Sequence, residues 1–257
     1  MKTLVCEIPE EVGYIIPIGD LHRGDKSFTK KSLDLLKRNL DWVKENKNAR
    51  IVLCGDLFNC ATRASKTEPF SQSSNEYQEI VELFMPYKDK IITAIDGNHE
   101  HRLEDFANYS IMNSFCMQLG IPYSHVSVAI NFKVNKRSDG KRFVHQYVGY
   151  FHHTTGGGKS TGSKINRIEA MTDLLSNADF YCGAHTHQLS AVPIISQFYN
   201  IRKNKIDEQR QVLVGTGSYL EWNESYAERG MLRPVKLGSP RIRLDGTKDH
   251  KDIHVSI

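Results

Sequence analysis

The sequence predicts an α/β fold, layered around mixed β-sheet, and three observations predict it. Short β-branched runs alternate with amphipathic helical stretches as far as about residue 120. Beyond residue 126 the chain reads mostly as strands. Five of the apolar runs end in clusters of aspartate, asparagine and histidine, which is where an α/β sheet gathers its ligands. Bulk composition agrees. At 257 residues the chain can bury a sizeable core, and 39% hydrophobic with 25% charged residues excludes a disordered chain. A net charge of +4 is compatible with an anionic substrate but far below that of a dedicated nucleic-acid coat.

Taken in order, residues 13–18 predict a strand that ends at Gly19-Asp20. Residues 30–47 predict a helix with Leu33, Leu36, Leu40 and Val43 on one face. Residues 50–54 predict a buried strand ending at Gly55-Asp56, residues 75–87 a helix, and residues 91–95 a strand ending at Asp96-Gly97-Asn98. A helix then runs to about Leu119, where Gly120 and Pro122 stop it. Residues 126–134 and 142–151 read as a strand pair with a turn at Asp139-Gly140. A glycine-rich loop over 154–163, a helix over 165–177 and a strand over 180–183 follow, then strands over 192–199, 211–215 and 241–244. The polar, serine-rich stretch 61–75 is long enough to suggest a functional loop. The last residues, 247–257, fit a final strand or a frayed end.

Cys6, Cys54, Cys60, Cys116 and Cys182 are odd in number and form no CxxC pair, which favours reduced thiols and a cytoplasmic location. The opening Met1-Lys2-Thr3-Leu4-Val5-Cys6-Glu7 reaches an acid before any long apolar core, unlike a secretory leader. No apolar stretch approaches the ~20 residues that span a bilayer, so no membrane partner is expected.

The chemistry lies in the strand-end clusters: Asp20-Leu21-His22, Gly55-Asp56, Gly97-Asn98-His99-Glu100, His152-His153 and His185-Thr186-His187. Carboxylate, imidazole and amide groups without thiolate favour Mn, Fe, Zn, Ni or Mg over a structural cysteine–zinc site. In extended backbone, Asp-x-His and His-x-His put both side chains on one strand face. Two neighbouring ions need a bridging carboxylate, which Asp56 is suited to supply.

In order along the chain, Gly19-Asp20-Leu21-His22, Gly55-Asp56-Leu57-Phe58-Asn59, Gly97-Asn98-His99-Glu100, Phe151-His152-His153 and Gly183-Ala184-His185-Thr186-His187 resemble the five motifs of the calcineurin-like metallophosphoesterases. The resemblance spans residues 19–187. It implies a four-layer αββα sandwich with two mixed β-sheets, a single domain over residues 1–257, and the strands of residues 190–257 within the second sheet. It also implies roles. Asp20, His22 and His187 hold a first metal; Asn98, His185 and one of His152 and His153 hold a second; Asp56 bridges them. His99 binds no metal and faces the leaving group, as general acid or as a cation stabilising the transition state. Alignment on the glycines after Thr155 favours His153 as the ligand, with His152 pointing into the sheet or towards substrate. The expected cofactors are two divalent ions, manganese first, with iron, zinc, nickel or magnesium as alternatives.

One departure bears on substrate. In the phosphoprotein phosphatase branch the fifth residue of the Gly-Asp motif is a second aspartate that orients the catalytic histidine, and an arginine follows it. Asn59 stands there in this chain, followed by Cys60 and Ala61, with Arg63 further on. An amide cannot stabilise an imidazolium as a carboxylate does, which points away from that branch. Gly55-Asp56-Leu57-Phe58 looks more like the nuclease branch (the Mre11 and SbcD type), and the overall likeness is to small bacterial and phage-encoded members. The predicted function is hydrolysis of a phosphodiester, in DNA or RNA, by water activated between two metal ions. The alternatives are a phosphomonoester, cyclic nucleotide or phosphoprotein substrate and, from another class, a metal-binding scaffold that kept the fold without catalysis.

Asn59, Arg102, Lys159 and His152 are the candidate substrate contacts. Gly156-Gly157-Gly158-Lys159-Ser160 is not a P-loop, because His153 occupies the place of its first glycine. It reads as a phosphate-contacting loop with Lys159, Lys164 or Arg167, or as a connector with solvated lysines. Arg102 suits a phosphate contact or a salt bridge at a helix start. Residues 135–142 are basic and fit a solvated hairpin tip better than a nucleic-acid guide. Tyr219, Trp222 and Tyr226 fit core or interface packing better than a base-stacking wall.

Overall fold

The computed structural model describes residues 1–61 and 74–257, so the loop expected over 61–75, with Arg63, lies outside the described residues except at its ends. The chain begins β1 (Lys2–Ile8), β2 (Val12–Ile18), α1 (Lys30–Glu45), β3 (Ala49–Cys54). It resumes with α2 (Ser74–Phe84), a 3-10 turn (Met85–Lys90), β4 (Ile91–Ile95), α3 (Asn98–Ala107) and α4 (Ile111–Leu119). The hairpin of β5 (Ser127–Lys136) and β6 (Phe143–His152) leads to α5 (Thr161–Glu169), α6 (Met171–Leu174) and β7 (Phe180–Gly183). A second hairpin, β8 (Leu189–Asn200) and β9 (Lys205–Thr216), is followed by α7 (Tyr226–Arg229), β10 (Arg241–Asp245) and β11 (Asp252–Ser256).

Two sheets result, ordered β11-β10-β2-β3-β4 and β1-β5-β6-β7-β9-β8. Both are mixed: β2, β3 and β4 run parallel while β10 is antiparallel to β2, and β6, β7 and β9 run parallel while β5 and β8 pair antiparallel. Strand alternation sorts side chains into layers. Ile15 and Val52 point between the sheets with Phe132, Phe151, Phe180 and Val214, whereas Ile16, Ile51 and Leu53 point outward beneath Leu36, Leu40 and Val43 of α1 and Phe115 of α4. On the opposite outer face Tyr150, Tyr181 and Leu213 pack with Ile168 of α5 and Met171 of α6. The architecture is the expected four-layer αββα sandwich, and α1 buries one stripe because Leu36, Leu40 and Val43 recur at helical spacing.

Three expectations are refined. The helix expected from 98 to 119 is two helices, because Asn108 turns left-handed (φ 51°) and Ser110 caps a new start by accepting from the Asn113 N–H. An unforeseen strand, β1, pairs parallel with β5 and buries Cys6 and Ile8 in alternation. The strands beyond residue 190 do not share one sheet: β8 and β9 join the six-stranded sheet, and β10 and β11 the five-stranded one. The physical reason is the connection after β9. The Gly217 N–H bonds to the Gln188 carbonyl and the Tyr219 N–H to the Asp20 carbonyl, so the chain crosses from one sheet's end to the other's. All five cysteines are free and buried. Among the described residues no helix is long and apolar enough to cross a membrane.

Candidate metal centre

The strand ends leave extended geometry abruptly. Asp20 (φ 52°), His22 (48°), Asp56 (51°), His185 (73°) and His187 (54°) are left-handed, a region that non-glycine residues rarely adopt. Two glycines permit the close approach of these turns. A Cβ on Gly55, at φ 83°, would overlap the Gly97 backbone, and a Cβ on Gly97 would overlap the Asp56 carboxylate.

The side chains so turned converge, although they come from both sheets. His187 Nε2 lies 3.3 Å from Asp20 Oδ1 and 3.3 Å from His22 Nε2. Asp56 Oδ2 lies 3.5 Å from His22 Nε2 and 3.3 Å from His153 Nε2, placing this carboxylate between two groups of donors. Asn98 Oδ1 lies 3.1 Å from His153 Nε2 and 2.7 Å from His185 Nδ1. Donor atoms of Asp20, His22 and His187, and those of Asp56, His153 and His185, form sets within 4.8 Å. Neighbouring ligands of a tetrahedral ion with ~2.0–2.1 Å bonds stand about 3.3–3.4 Å apart, so the spacing and the N/O donor set both fit divalent metal. One orientation is fixed by backbone: His153 Nδ1 is 2.8 Å from the Cys54 carbonyl, so Nδ1–H donates there and Nε2 is the nitrogen turned to the cluster.

Electrostatics show the same demand for positive charge. Burial opposes ionisation of Asp56, but His153 and His22 outweigh it and hold its carboxyl well below the usual range. Asp20 is likewise lowered against its own burial by His187 and His22. Burial disfavours the charged His153, yet the Asp56 carboxylate lifts the ring to about 10. A proton is held where a metal can replace it.

His99 also brings a donor atom within 4.8 Å of those of His22 and Asp56, but it is held differently. Its Nδ1 is 2.5 Å from the Asn59 carbonyl, which can only accept, so the Nδ1–H donates and Nε2 is left open. The expected orienting group is thus present as Asn59 backbone and not as its amide. The ring meets His22 edge-on at 4.4 Å between centroids. Burial, then the charge of His22, push it down to about 4.

Two supporting residues were not anticipated. Glu100, 2% exposed, accepts the N–H groups of Asp56 (2.8 Å), Phe58 (3.0 Å) and Gly97 (2.8 Å), pinning the two strand-end turns together. Its place three residues after Gly97, at the third position of α3, is a capping signature readable in sequence. Tyr226 places its hydroxyl 3.2 Å from His187 Nδ1 and has no comparable signature.

A cleft of about 1010 Å³ opens over the cluster. Of the expected substrate contacts, Asn59, Arg102 and Lys159 line it; Asn59 Oδ1 is buried there without a partner. His152 is not brought there: its ring packs beside Tyr150, and it follows the sheet face opposite to His153. Lys164, Arg167 and Arg233 add positive charge to the wall, and burial lowers Lys164. Tyr219 is buried in the core, whereas Trp222 and Tyr226 line the cleft. The basic stretch 135–142 contributes no described lining residue; Asp139 accepts the N–H groups of Lys141 and Arg142 in an exposed turn.

These features define a cleft with a donor cluster that fits divalent metal, on a layered α/β frame. The chain matches the calcineurin-like phosphoesterases over residues 14–189 and belongs to that family, whose members hydrolyse phosphate esters with divalent metal. Its fold is similar to a conserved uncharacterized protein of Streptococcus pneumoniae TIGR4, a predicted phosphoesterase, at 14% identity over 95% of this chain and 88% of that one, with a TM-score of 0.38. It is also similar to Vacuolar Protein Sorting 29 of Cryptosporidium parvum (12% identity, 96% and 98% covered, TM-score 0.42). A third is the NAD nucleotidase of Haemophilus influenzae (12% identity, 96% and 49% covered, TM-score 0.44). No curated protein matches the chain.

Proposed function

We propose that the chain is a metal-dependent phosphodiesterase acting on a nucleic-acid strand. The observation that carries this reading is the spread of cations around the cleft. Arg102 of α3, Lys159 of the glycine loop, Arg167 of α5 and Arg233 beyond α7 line it from four separate segments. A single phosphoryl group at the cluster does not need four; a strand with phosphates on both sides of the scissile bond does. Trp222, whose indole N–H donates to the Leu232 carbonyl at 2.7 Å, and Tyr226 offer aromatic surface for a base.

In this reading Asp20, His22 and His187 hold one divalent ion, Asn98, His153 and His185 another, and Asp56 lies between, with manganese the first candidate. When bound, such ions neutralise phosphoryl charge and lower the pKa of water. His99 offers Nε2 to the cleft. With its ring pushed down to about 4 it is neutral in the free protein at neutral pH, so it does not stand ready as an imidazolium. A bound phosphate anion favours the charged ring, and the proton then taken up at Nε2 passes to the leaving oxygen. Arg102, Lys159 and Arg167 position flanking phosphates, with Asn59 lining the cleft beside them.

A panel of single-stranded DNA, duplex DNA, RNA, cyclic dinucleotides, phosphopeptides and a chromogenic diester, each with Mn²⁺, tests the reading. Cleavage of a nucleic-acid strand is expected to dominate. Preference for phosphopeptides or monoesters would overturn the substrate class, and no turnover of any ester would leave the metal scaffold.

A further inference from the structure

Four more metal-capable side chains meet outside the cleft. His101 and Glu104 stand one turn apart on α3, which puts both on one helix face. Asp96 follows the end of β4, and His125 lies in the segment between α4 and β5. His125 Nε2 is 3.3 Å from Glu104 Oε2 and 3.6 Å from Asp96 Oδ2, and His101 Nδ1 is 3.4 Å from Glu104 Oε2. One donor atom from each of the four lies within 4.8 Å of all the others. None of the four is among the described residues that line the cleft.

An ion-pair network is the competing account, and the geometry argues against it. Charge-assisted hydrogen bonds close to ~2.7–2.9 Å. Three of the separations, 3.3, 3.4 and 3.6 Å, instead lie near the edge of a tetrahedron with ~2.0–2.1 Å bonds, about 3.3–3.4 Å, and the other donor pairs lie within 4.8 Å. Asp96 supplies an independent sign. It is 2% exposed, the Tyr123 hydroxyl donates to its Oδ2, and its Oδ1 has no hydrogen-bond partner. A buried carboxylate served by a single hydroxyl donor is costly unless a cation meets it, and its Oδ2 is the oxygen that faces His125. His125 is also held over this carboxylate. Its carbonyl accepts the Asp96 N–H at 2.7 Å, and its backbone sits at φ 33°, which a non-glycine residue keeps only where its surroundings impose it.

We propose that Asp96, His101, Glu104 and His125 form an additional, four-coordinate zinc site with a structural role. Two imidazole nitrogens and two carboxylate oxygens without thiolate suit zinc, and four protein ligands leave no open position for catalysis. The ion clamps α3 to the end of β4 and to the segment before β5. Since α3 begins with Asn98, His99 and Glu100, the clamp steadies the helix that carries these residues.

The test is zinc stoichiometry. Stripped protein is reloaded with excess Zn²⁺, desalted and subjected to elemental analysis beside a His101→Ala/His125→Ala variant reloaded in the same way. Because His101 and His125 are 34% and 52% exposed, the changes leave no core cavity, and circular dichroism checks the fold. The variant is expected to retain one zinc fewer per chain. Equal contents overturn the proposal and leave an ion-pair network. Should the double variant not fold, Glu104→Gln gives the same comparison. The difference is read between chains with the same cleft, so it stands whatever the cleft cluster holds.

Discussion

Asp20, His22, Asp56 and His153 sit on strand ends and are at most 5% exposed, whereas Lys159, Arg167 and Arg233 sit on a loop, a helix surface and a late connection and are exposed. The two regions face the same cleft but are held by different forces. In the cluster each donor is fixed by another donor, by a backbone carbonyl or by a left-handed turn. On the wall, the long side chains of Lys159, Arg167 and Arg233 are exposed to solvent. The first arrangement should fail all at once when any part is removed, and the second by degrees and in proportion to ionic strength.

The sharpest contrast comes from Asp56→Asn. It removes the charge between His22 and His153, and metal content and hydrolysis should both fall to background; retained metal at wild-type rate would erase the distinction between the regions. His153→Ala should lower metal occupancy, while His152→Ala, whose ring lies off the cleft, should spare it; elemental analysis of the pair decides, and the reverse result moves the ligand by one residue. His99→Ala should keep metal yet lower kcat by ~10²–10⁴-fold, with a smaller loss for a nitrophenolate leaving group that departs without a proton. Equal losses for good and poor leaving groups would remove proton donation from its role.

A subtler contrast is in pH. In metal-free protein His153 is raised from 6.5 to about 10, so the folded chain binds a proton that the unfolded chain lacks in that window. The associated stability is fully present below 6.5 and is lost as pH rises through about 10. Glu100, pushed up to about 7 by burial and by Asp56, adds a loss in the same direction as pH rises from 4.5. Between about 4 and 6.5 the lowered His99 acts in the opposite direction, so melting temperatures of stripped protein should decline as pH rises above 6.5, and Mn²⁺ should flatten that decline by replacing the proton. A pH-independent melt in stripped protein would contradict the charge pattern of the cluster. The smallest effect is expected on the wall. Lys159→Ala/Arg167→Ala should raise KM for a single strand with little change in kcat, and should reduce the salt slope of binding by about 0.7 for each phosphate no longer neutralised. An unchanged slope would take these cations out of substrate binding.

The same division explains what was legible in the sequence. The strand-end clusters could be read because metal-capable residues end successive apolar runs, the resemblance to the family's motifs picked Asp20, His22, Asp56, Asn98, His153, His185 and His187 from them, and the structure brings all seven together. The period-two alternation of Cys6 and Ile8 in β1 was there to be read as well. The wall was not. Trp222, Tyr226 and Arg233 reach the cleft only because the connection after β9 crosses between sheets, a path set by backbone bonds such as Tyr219 N–H to the Asp20 carbonyl. The partner of His99 Nδ1 is likewise a carbonyl, which every residue carries. Asn108 broke the long helix through a left-handed turn that asparagine tolerates, although apolar spacing continues across it.

The left-handed turns at Asp20, His22, Asp56, His185 and His187 also carry a consequence for evolutionary change. Each holds a side chain where glycine would be more comfortable, at a cost on the order of 1 kcal/mol or more. Selection for thermostability alone would favour glycine at all five. A descendant released from the need to bind metal could therefore grow sturdier by the very substitutions that dismantle its chemistry, and their appearance together in a relative would mark a lineage that has retired the site.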